Sequence, residues 1–287
     1  MQSKKNWNYI WRSRRRKQEI KQFLFLMPSL GGVACFVLLP FGKMAVSSFF
    51  TALTGEFAGL QNYVSVFQND AFKIASANTA RFLAAGVLPL LLLSLGIALL
   101  VNGDSKRGKY KYLYLMPLAM PAAAMVLVWK LLFSGQGFLG RFLGTHTNFL
   151  GEESAFFILT GSYLWKNLGY TMILWLAGLK SIPDAMLEAA RIDGAGKVKR
   201  FWLITLPCLK GSMFTIAVVS LINSFKVFRE VYLVGGAYPP KSIYMLQNVF
   251  NNWYLYLEQD KLSAASVLSV IALGTVSLLL QRLWDCE

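Results

Sequence analysis

The sequence predicts an all-α polytopic membrane protein with six transmembrane helices and a water-facing helix-turn-helix between helices four and five. Three observations lead there. Hydrophobic residues make up 55% of the 287 and charged residues only 15%, more apolar surface than one soluble core can hide. The apolar residues gather into long uncharged runs, and about 20 such residues are needed to cross a hydrocarbon core about 30 Å thick. Lysine and arginine are concentrated in the N-terminal tail and in alternate connections, the asymmetry that keeps loops on the cytoplasmic side.

The first expected span, Phe23 to Gly42, lies between Lys21 and Lys43. The second, Phe82 to Gly103, lies between Arg81 and Asp104, and the third, Tyr112 to Trp129, between Lys111 and Lys130. Ser154 to Leu179, interrupted only by Lys166, gives the fourth. Gly211 to Phe225, extendable toward Val234, gives the fifth, and Leu262 to Gln281 the sixth. The tail carries Lys4, Lys5, Arg12, Arg14, Arg15, Arg16, Lys17 and Lys21; the second connection carries Lys106, Arg107, Lys109 and Lys111. The fourth adds Lys180, Arg191, Lys197, Lys199, Arg200 and Lys210, whereas the odd connections hold Glu56, Asp70, Glu152, Glu153, Glu258 and Asp260. Both termini are therefore expected in the cytoplasm, with residues 1–21 a basic tail and 22–287 a transmembrane domain. The tail suits contact with anionic membrane lipid. The first span is long, with no small-residue cleavage site after it, and reads as a retained helix rather than a signal peptide.

Several function classes drop out. The net charge of +15 sits beside the spans rather than on a basic domain with stacking aromatics, so no nucleic-acid partner is expected. Cys35, Cys208 and Cys286 have no paired spacing and His146 is the lone histidine, which leaves neither a disulfide framework nor a metal site. Gly42-Lys43, Gly108-Lys109 and Gly196-Lys197 lack the Ser or Thr of a phosphate-binding loop, so this chain should bind no ATP and no other cofactor. No catalytic constellation is evident. Tyr110, Tyr112, Tyr114, Trp129, Trp253, Tyr254 and Tyr256 fall near span ends, where amphipathic rings anchor at the interface. Residues 133–149, rich in Gly and Phe, are expected to form a partly helical re-entrant piece on the outer surface.

The connection over about 181–210 is the most informative stretch. Pro183 and Asp184 suit a first helical turn, and the helix should run to about Asp193. Gly194 and Gly196 supply the freedom to stop one helix and start another, which Pro207 is expected to close. Glu188, Ala189, Ala190, Asp193, Gly194 and Ala195, followed by Phe201, Ile204, Leu206 and Pro207, resemble the cytoplasmic EAA loop of permease subunits from bacterial binding-protein-dependent ABC importers. Lys210 stands where that family commonly has proline.

Other stretches are similar to the maltose-type, carbohydrate-importing branch. They are Met27-Pro28-Ser29 with Leu39-Pro40, Gly59-Leu60-Gln61-Asn62-Tyr63 with Asn78-Thr79, Trp165 and Gly169, Leu176-Ala177-Gly178-Leu179 and Phe225-Lys226-Val227-Phe228. Gly235-Gly236-Ala237-Tyr238-Pro239-Pro240 stands where that branch usually has glycine-glycine-proline, so the solute cannot be copied from a relative.

The resemblance implies a non-catalytic, pore-forming subunit in the bacterial cell membrane. Its partners would be a second homologous permease subunit, two ATP-binding subunits that carry MgATP, and an extracytoplasmic solute-binding protein. Glu188, Ala189, Ala190, Arg191, Asp193, Gly194 and Ala195 would couple to the ATPase, with small side chains allowing close approach and the Glu188 carboxylate available to an arginine. An oligosaccharide, a polyol or a sugar phosphate would fit as solute.

Polar groups inside spans are costly and therefore informative. Tyr163, Lys166, Asn167 and Tyr170 recur at helical spacing on the fourth span; Ser220, Asn223 and Lys226 do so on the fifth, with Arg229 and Glu230 one turn on. Amides and charges suit sugar hydroxyls, and aromatic rings suit sugar faces. For Lys166 and Asn223, lining a solute path and packing inside the bundle stay equally open, because periodicity does not identify the face. The alternative reading, an ion-coupled secondary transporter, would place acids within its spans, and none falls in the first three.

Overall fold

Backbone amides in hydrocarbon have no water to bond, so each apolar run must close its hydrogen bonds within itself as a helix. The computed structural model describes residues 23–102, 111–144, 147–151 and 153–285. The basic tail, the Lys106, Arg107 and Lys109 cluster, Tyr110, His146, Glu152 and Cys286 lie outside the described residues. In chain order the helices are α1 (Phe23–Ser47), α2 (Gln61–Gln68), α3 (Asp70–Asn102) and α4 (Lys111–Leu115). Then come α5 (Ala122–Phe133), α6 (Phe138–Phe142), α7 (Ser154–Lys180), α8 (Asp184–Ile192) and α9 (Lys197–Arg200). Last are α10 (Lys210–Gly235), α11 (Leu246–Leu255) and α12 (Gln259–Asp285). Among the described residues the only extended pairing is an isolated bridge between Phe50 and Phe57.

Five helical stretches among the described residues are long and apolar enough to cross a membrane: α1, α3, Ala122–Phe142, α10 and α12. The expected count of six is therefore not reproduced on apolarity. The helix set apart is α7, whose 27 residues reach about 40 Å but carry Lys166, Asn167 and two tyrosines. Thirteen of those residues are buried, against α3, α4 and α10, whereas the most apolar stretch of α1 buries nothing. A helix enclosed by other helices does not need to be oily. One facing lipid does.

Proline explains the departures inside the spans. A proline ring has no amide hydrogen and collides with the carbonyl four residues back. Three segments of wide π-helix, Ala34–Leu38, Leu83–Val87 and Phe201–Thr205, each end two residues before a proline, at Pro40, Pro89 and Pro207. The amides of Leu39 and Leu206 reach five residues back, to Ala34 and Phe201, which moves the obstructing turn aside. Pro207 thus does not close the helix that begins at Lys197. The chain runs on through Leu206–Cys208 and turns only at Leu209, directly before α10.

The third expected span is also corrected. Tyr112 to Trp129 is not one helix: α4 gives way to a 3₁₀ turn over Met116–Ala119, then to extended backbone at Met120 and Pro121 before α5 starts. Pro117 and Pro121 remove two donors from a run that looked continuous by hydropathy. α3 likewise begins at Asp70 instead of Phe82, because Asn69 Oδ1 accepts the Phe72 amide at 3.0 Å and caps it. The described residues between 134 and 149 hold one short helix, α6, among turns.

Three apolar clusters hold the bundle. One surrounds Tyr163, Phe82 and Trp129; one surrounds Trp175, Leu179 and Leu209; one joins α2, α3, α11 and α12 through Val66, Phe72 and Trp253. Trp129 and Trp253 are each 6% exposed and belong to these cores, not to an interfacial belt, while Tyr254 and Tyr256 are exposed. Trp253 stacks on Phe72 at a centroid distance of 6.2 Å. Its ring fills a gap between helices.

Polar side chains then fix the connections. Buried Asn62 donates to the carbonyls of Ser48 at 3.0 Å and Phe50 at 2.9 Å, pinning the turn after α1 onto α2. Asn78 donates to the carbonyls of Lys241 and Tyr244, and Thr79 Oγ1 accepts the Leu246 amide, which docks the connection after α10 onto α3. Asn62→Ala should therefore cost about 1–3 kcal/mol by leaving both carbonyls unpaired, read as a lower unfolding midpoint of the detergent-purified protein.

Candidate functional site

Helical spacing puts Tyr163, Lys166, Asn167 and Tyr170 on one face of α7. On α10 the turn Phe225–Val227 is 3₁₀, with three residues per turn, and this brings Asn223, Lys226 and Arg229 into one row. The two rows face each other across a cavity of about 720 Å³, and the proline break at residues 118–122 forms its third wall. Non-helical backbone at membrane depth is tolerated where it lines such a space. Of the polar span residues the sequence singles out, Tyr163, Lys166, Asn167, Tyr170, Asn223, Lys226, Arg229 and Glu230 line this one cavity, whereas Ser220 is buried outside its lining.

Their contacts differ. Lys166 Nζ donates to Glu230 Oε1 at 2.7 Å, and the Glu230 side chain is 7% exposed against 23% for Lys166. The second carboxylate oxygen, Oε2, is buried with no partner among the described residues. The Tyr163 hydroxyl donates to the Ser220 carbonyl at 3.0 Å and Asn167 Nδ2 to the Tyr163 carbonyl at 2.8 Å, so both help to seal the wall. Lys226 Nζ donates to Asn223 Oδ1 at 2.7 Å on an exposed surface. Arg229 is exposed and makes no ion pair among the described residues. Two features escaped the sequence reading: Glu230 as the carboxylate that meets Lys166 inside the bundle, and the third wall. The pair Pro117 and Pro121 was the signal for the wall, and no spacing within one helix marks the Lys166–Glu230 contact.

Behind the cavity the helices touch closely. A Cβ on Gly86 would lie 3.2 Å from the Tyr163 ring, which meets Phe82 edge-on at 5.1 Å. A Cβ on Gly169 would overlap the Tyr114 carbonyl of α4. Trp175 Nε1 donates to Ser94 Oγ at 3.1 Å, tying α7 to α3.

The connection between α7 and α10 is an exposed elbow. Pro183 precedes α8, and Asp184 sits in its first turn. Asp193 ends it, and Gly194 follows at φ +77°, a conformation that side chains disfavour. The Ala195 amide bonds the Ala190 carbonyl at 2.9 Å and the Gly194 amide bonds that of Arg191 at 3.0 Å, the paired bonds of a Schellman stop. Glu188, Ala189, Arg191 and Asp193 are exposed. So are Ile192, Val198, Trp202 and Leu203, each above half exposure. The elbow is anchored where Ile182 and Leu209, at its ends, and Leu187 of α8 pack on the core around Trp175. Beneath it α7 and α10 nearly touch, with Gly178 against Ser212.

At the opposite end, burial raises the Tyr244 phenol above its ordinary value, and a hydrogen bond from Asn252 Nδ2 at 3.1 Å draws it part of the way back. It stays a neutral hydroxyl. Among the described residues no group of three or more potential metal ligands gathers.

The family described as Binding-protein-dependent transport system inner membrane component matches residues 91–285, well over half of the chain. The chain belongs to that family. It is the permease subunit of an ABC importer. This permease is 30% identical over 286 residues to "Probable ABC transporter permease protein YesP" of Bacillus subtilis (strain 168), covering 92% of this chain and 90% of that one. It is 30% identical over 264 residues to the sn-glycerol-3-phosphate transport system permease protein UgpA of Yersinia pestis, with 87% and 88% covered. It is equally similar, over the same length and shares, to the trehalose/maltose transport system permease protein MalF of Thermococcus litoralis. In fold, the permease matches a chain of a bacterial ABC transporter involved in import of the acidic polysaccharide alginate, with TM-score 0.76, 20% identity and coverage of 96% and 98%. A second match, at TM-score 0.75 and 20% identity, comes from that transporter in complex with an alginate pentasaccharide-bound periplasmic protein.

Proposed function

We propose that this permease forms half of a carbohydrate pore that alternates between outward and inward access, driven by ATP hydrolysis on partner subunits. One observation carries the reading: the exposed elbow joins the two helices that wall the cavity. α7 runs from Lys166 straight into the elbow, and α10 runs from the elbow straight to Asn223 and Lys226. A push on α8 therefore displaces both walls together, a rigid-body transition. Sugar permeases of the same family, at about 30% identity over nearly full length, support carbohydrate as the cargo class.

The assembly would comprise a second permease subunit, two ATP-binding subunits carrying MgATP, and an extracytoplasmic binding protein. In this arrangement α7, fourth in order, brings the spans to six and is screened from lipid by its neighbours, and both termini lie with the elbow in the cytoplasm. Glu188, Ala189, Ala190, Arg191, Asp193, Gly194 and Ala195 form the contact with the ATPase. Ala189 and Ala190 permit close approach, and Glu188 meets an arginine. Tyr163, Lys166, Asn167, Tyr170, Asn223 and Lys226 form the solute path.

Glu188→Lys tests the coupling, because α8 keeps its caps while its carboxylate is reversed. In liposomes holding the whole importer, uptake per ATP hydrolysed should fall by at least about tenfold with the permease still folded. Uptake at the normal ratio in both Glu188→Lys and Gly194→Pro would refute the elbow as the lever.

A further inference from the structure

The cavity walls are electrostatically one-sided. Lys166, Lys226, Arg229 and Glu230 all line the space, three cations against one carboxylate. Lys166 and Glu230 neutralise each other at 2.7 Å, so two positive charges are left over, on Lys226 and Arg229. These two belong to the same row on α10, three residues apart across the 3₁₀ turn. Among the described residues Lys226 is held only by the neutral amide oxygen of Asn223, and no carboxylate pairs with Arg229. Uncompensated cations on a spanning helix are unfavourable unless water or an anion meets them. A cavity of about 720 Å³ is large enough to admit such an anion together with a sugar ring or two.

We infer that the solute is an anionic carbohydrate, and that Arg229 and Lys226 hold its carboxylate or phosphate while Tyr163, Asn167 and Tyr170 meet its uncharged part. The inference rests on the carbohydrate-importer reading and narrows it. Arg229 offers a planar fork that matches a two-oxygen anion, and Lys226 offers a point charge beside it. The Lys166–Glu230 pair keeps a third cation from competing for the same anion, so the charge is drawn to the α10 row.

The experiment uses the complete importer in detergent, with calorimetric titration of trigalacturonate, glucose 6-phosphate and neutral cellotriose. At least one anionic probe should bind about tenfold or more tightly than cellotriose, and the preference should shrink with added salt. The uronate and phosphate arms tell which anion is preferred. Arg229→Gln and Lys226→Gln should each remove most of the preference, and Arg229→Lys should retain part of it. Equal binding of charged and neutral probes, or no binding of either anion, overturns the inference, as would happen if an acidic group of a neighbouring subunit neutralised the row. ATP-driven import of neutral sugars with import of the anionic ones unchanged by Arg229→Gln would sink the anion preference and leave the importer reading intact. Anion binding with no ATP-driven uptake of any carbohydrate would sink the importer reading instead.

Discussion

Lys166→Met is expected to destabilise the permease by about 3–5 kcal/mol, because it strands the Glu230 carboxylate in a nearly dry site. The Glu230 side chain is only 7% exposed, and one of its oxygens already lacks a partner. The reverse substitution should be milder. Glu230→Leu leaves Lys166, whose side chain is 23% exposed on the cavity wall, and its ammonium can turn toward cavity water on a flexible stem. The double variant Lys166→Met/Glu230→Leu removes both charges and should recover most of the stability lost by Lys166→Met. Unfolding midpoints of the four purified forms give the coupling directly. If the two single variants lose the same small amount and the double variant loses their sum, the pair is not the internal tie described here.

How much of this could be read from the sequence depends on what encodes each feature. Long runs bounded by lysine or arginine encode the spans, and five of the expected six reappear as long apolar helices or helical stretches, with shifted ends. Composition located the runs but did not see the geometry within them. The break at Met120 and Pro121 divides the third run, and hydropathy rates Pro117 and Pro121 as ordinary apolar residues although each deletes a backbone donor. The π turns before Pro40, Pro89 and Pro207 are the same effect in milder form, a local widening that keeps the helix going. Pro207 looked like a stop for that reason.

The candidate site was legible wherever one helix carries it. Spacing alone puts Tyr163, Lys166, Asn167 and Tyr170 on one face of α7, and the cavity is on that face. Which residue meets Lys166 is set by the rotation of α10 against α7, and nothing in either helix alone reveals that Glu230 lies 2.7 Å away. Asn62, Asn78 and Thr79 illustrate the converse. They stood out in the sequence, and their work is to bond backbone groups of distant turns rather than to touch a solute.

Gly169→Ala should be the most damaging Gly→Ala change among the described glycines. The added Cβ would overlap the Tyr114 carbonyl, backbone that cannot rotate away as a side chain tip would. α4 would have to lift from α7, and α4 leads directly into Met116–Ala119 and the extended residues that form the third cavity wall. Overpacking of this kind costs about 1–3 kcal/mol where a core can adjust, and the backbone contact puts Gly169→Ala at or above the upper end. Gly161→Ala supplies the comparison on the same helix. Nothing lies within 4 Å of a Cβ at Gly161, so that variant should be neutral or gain up to about 1 kcal/mol from helix propensity. Both proteins would be purified and their unfolding midpoints compared with the parent. A Gly169→Ala protein that melts with Gly161→Ala, and binds solute as the parent does, would mean that α4 does not rest on α7 and that the third wall of the cavity is not fixed by this contact.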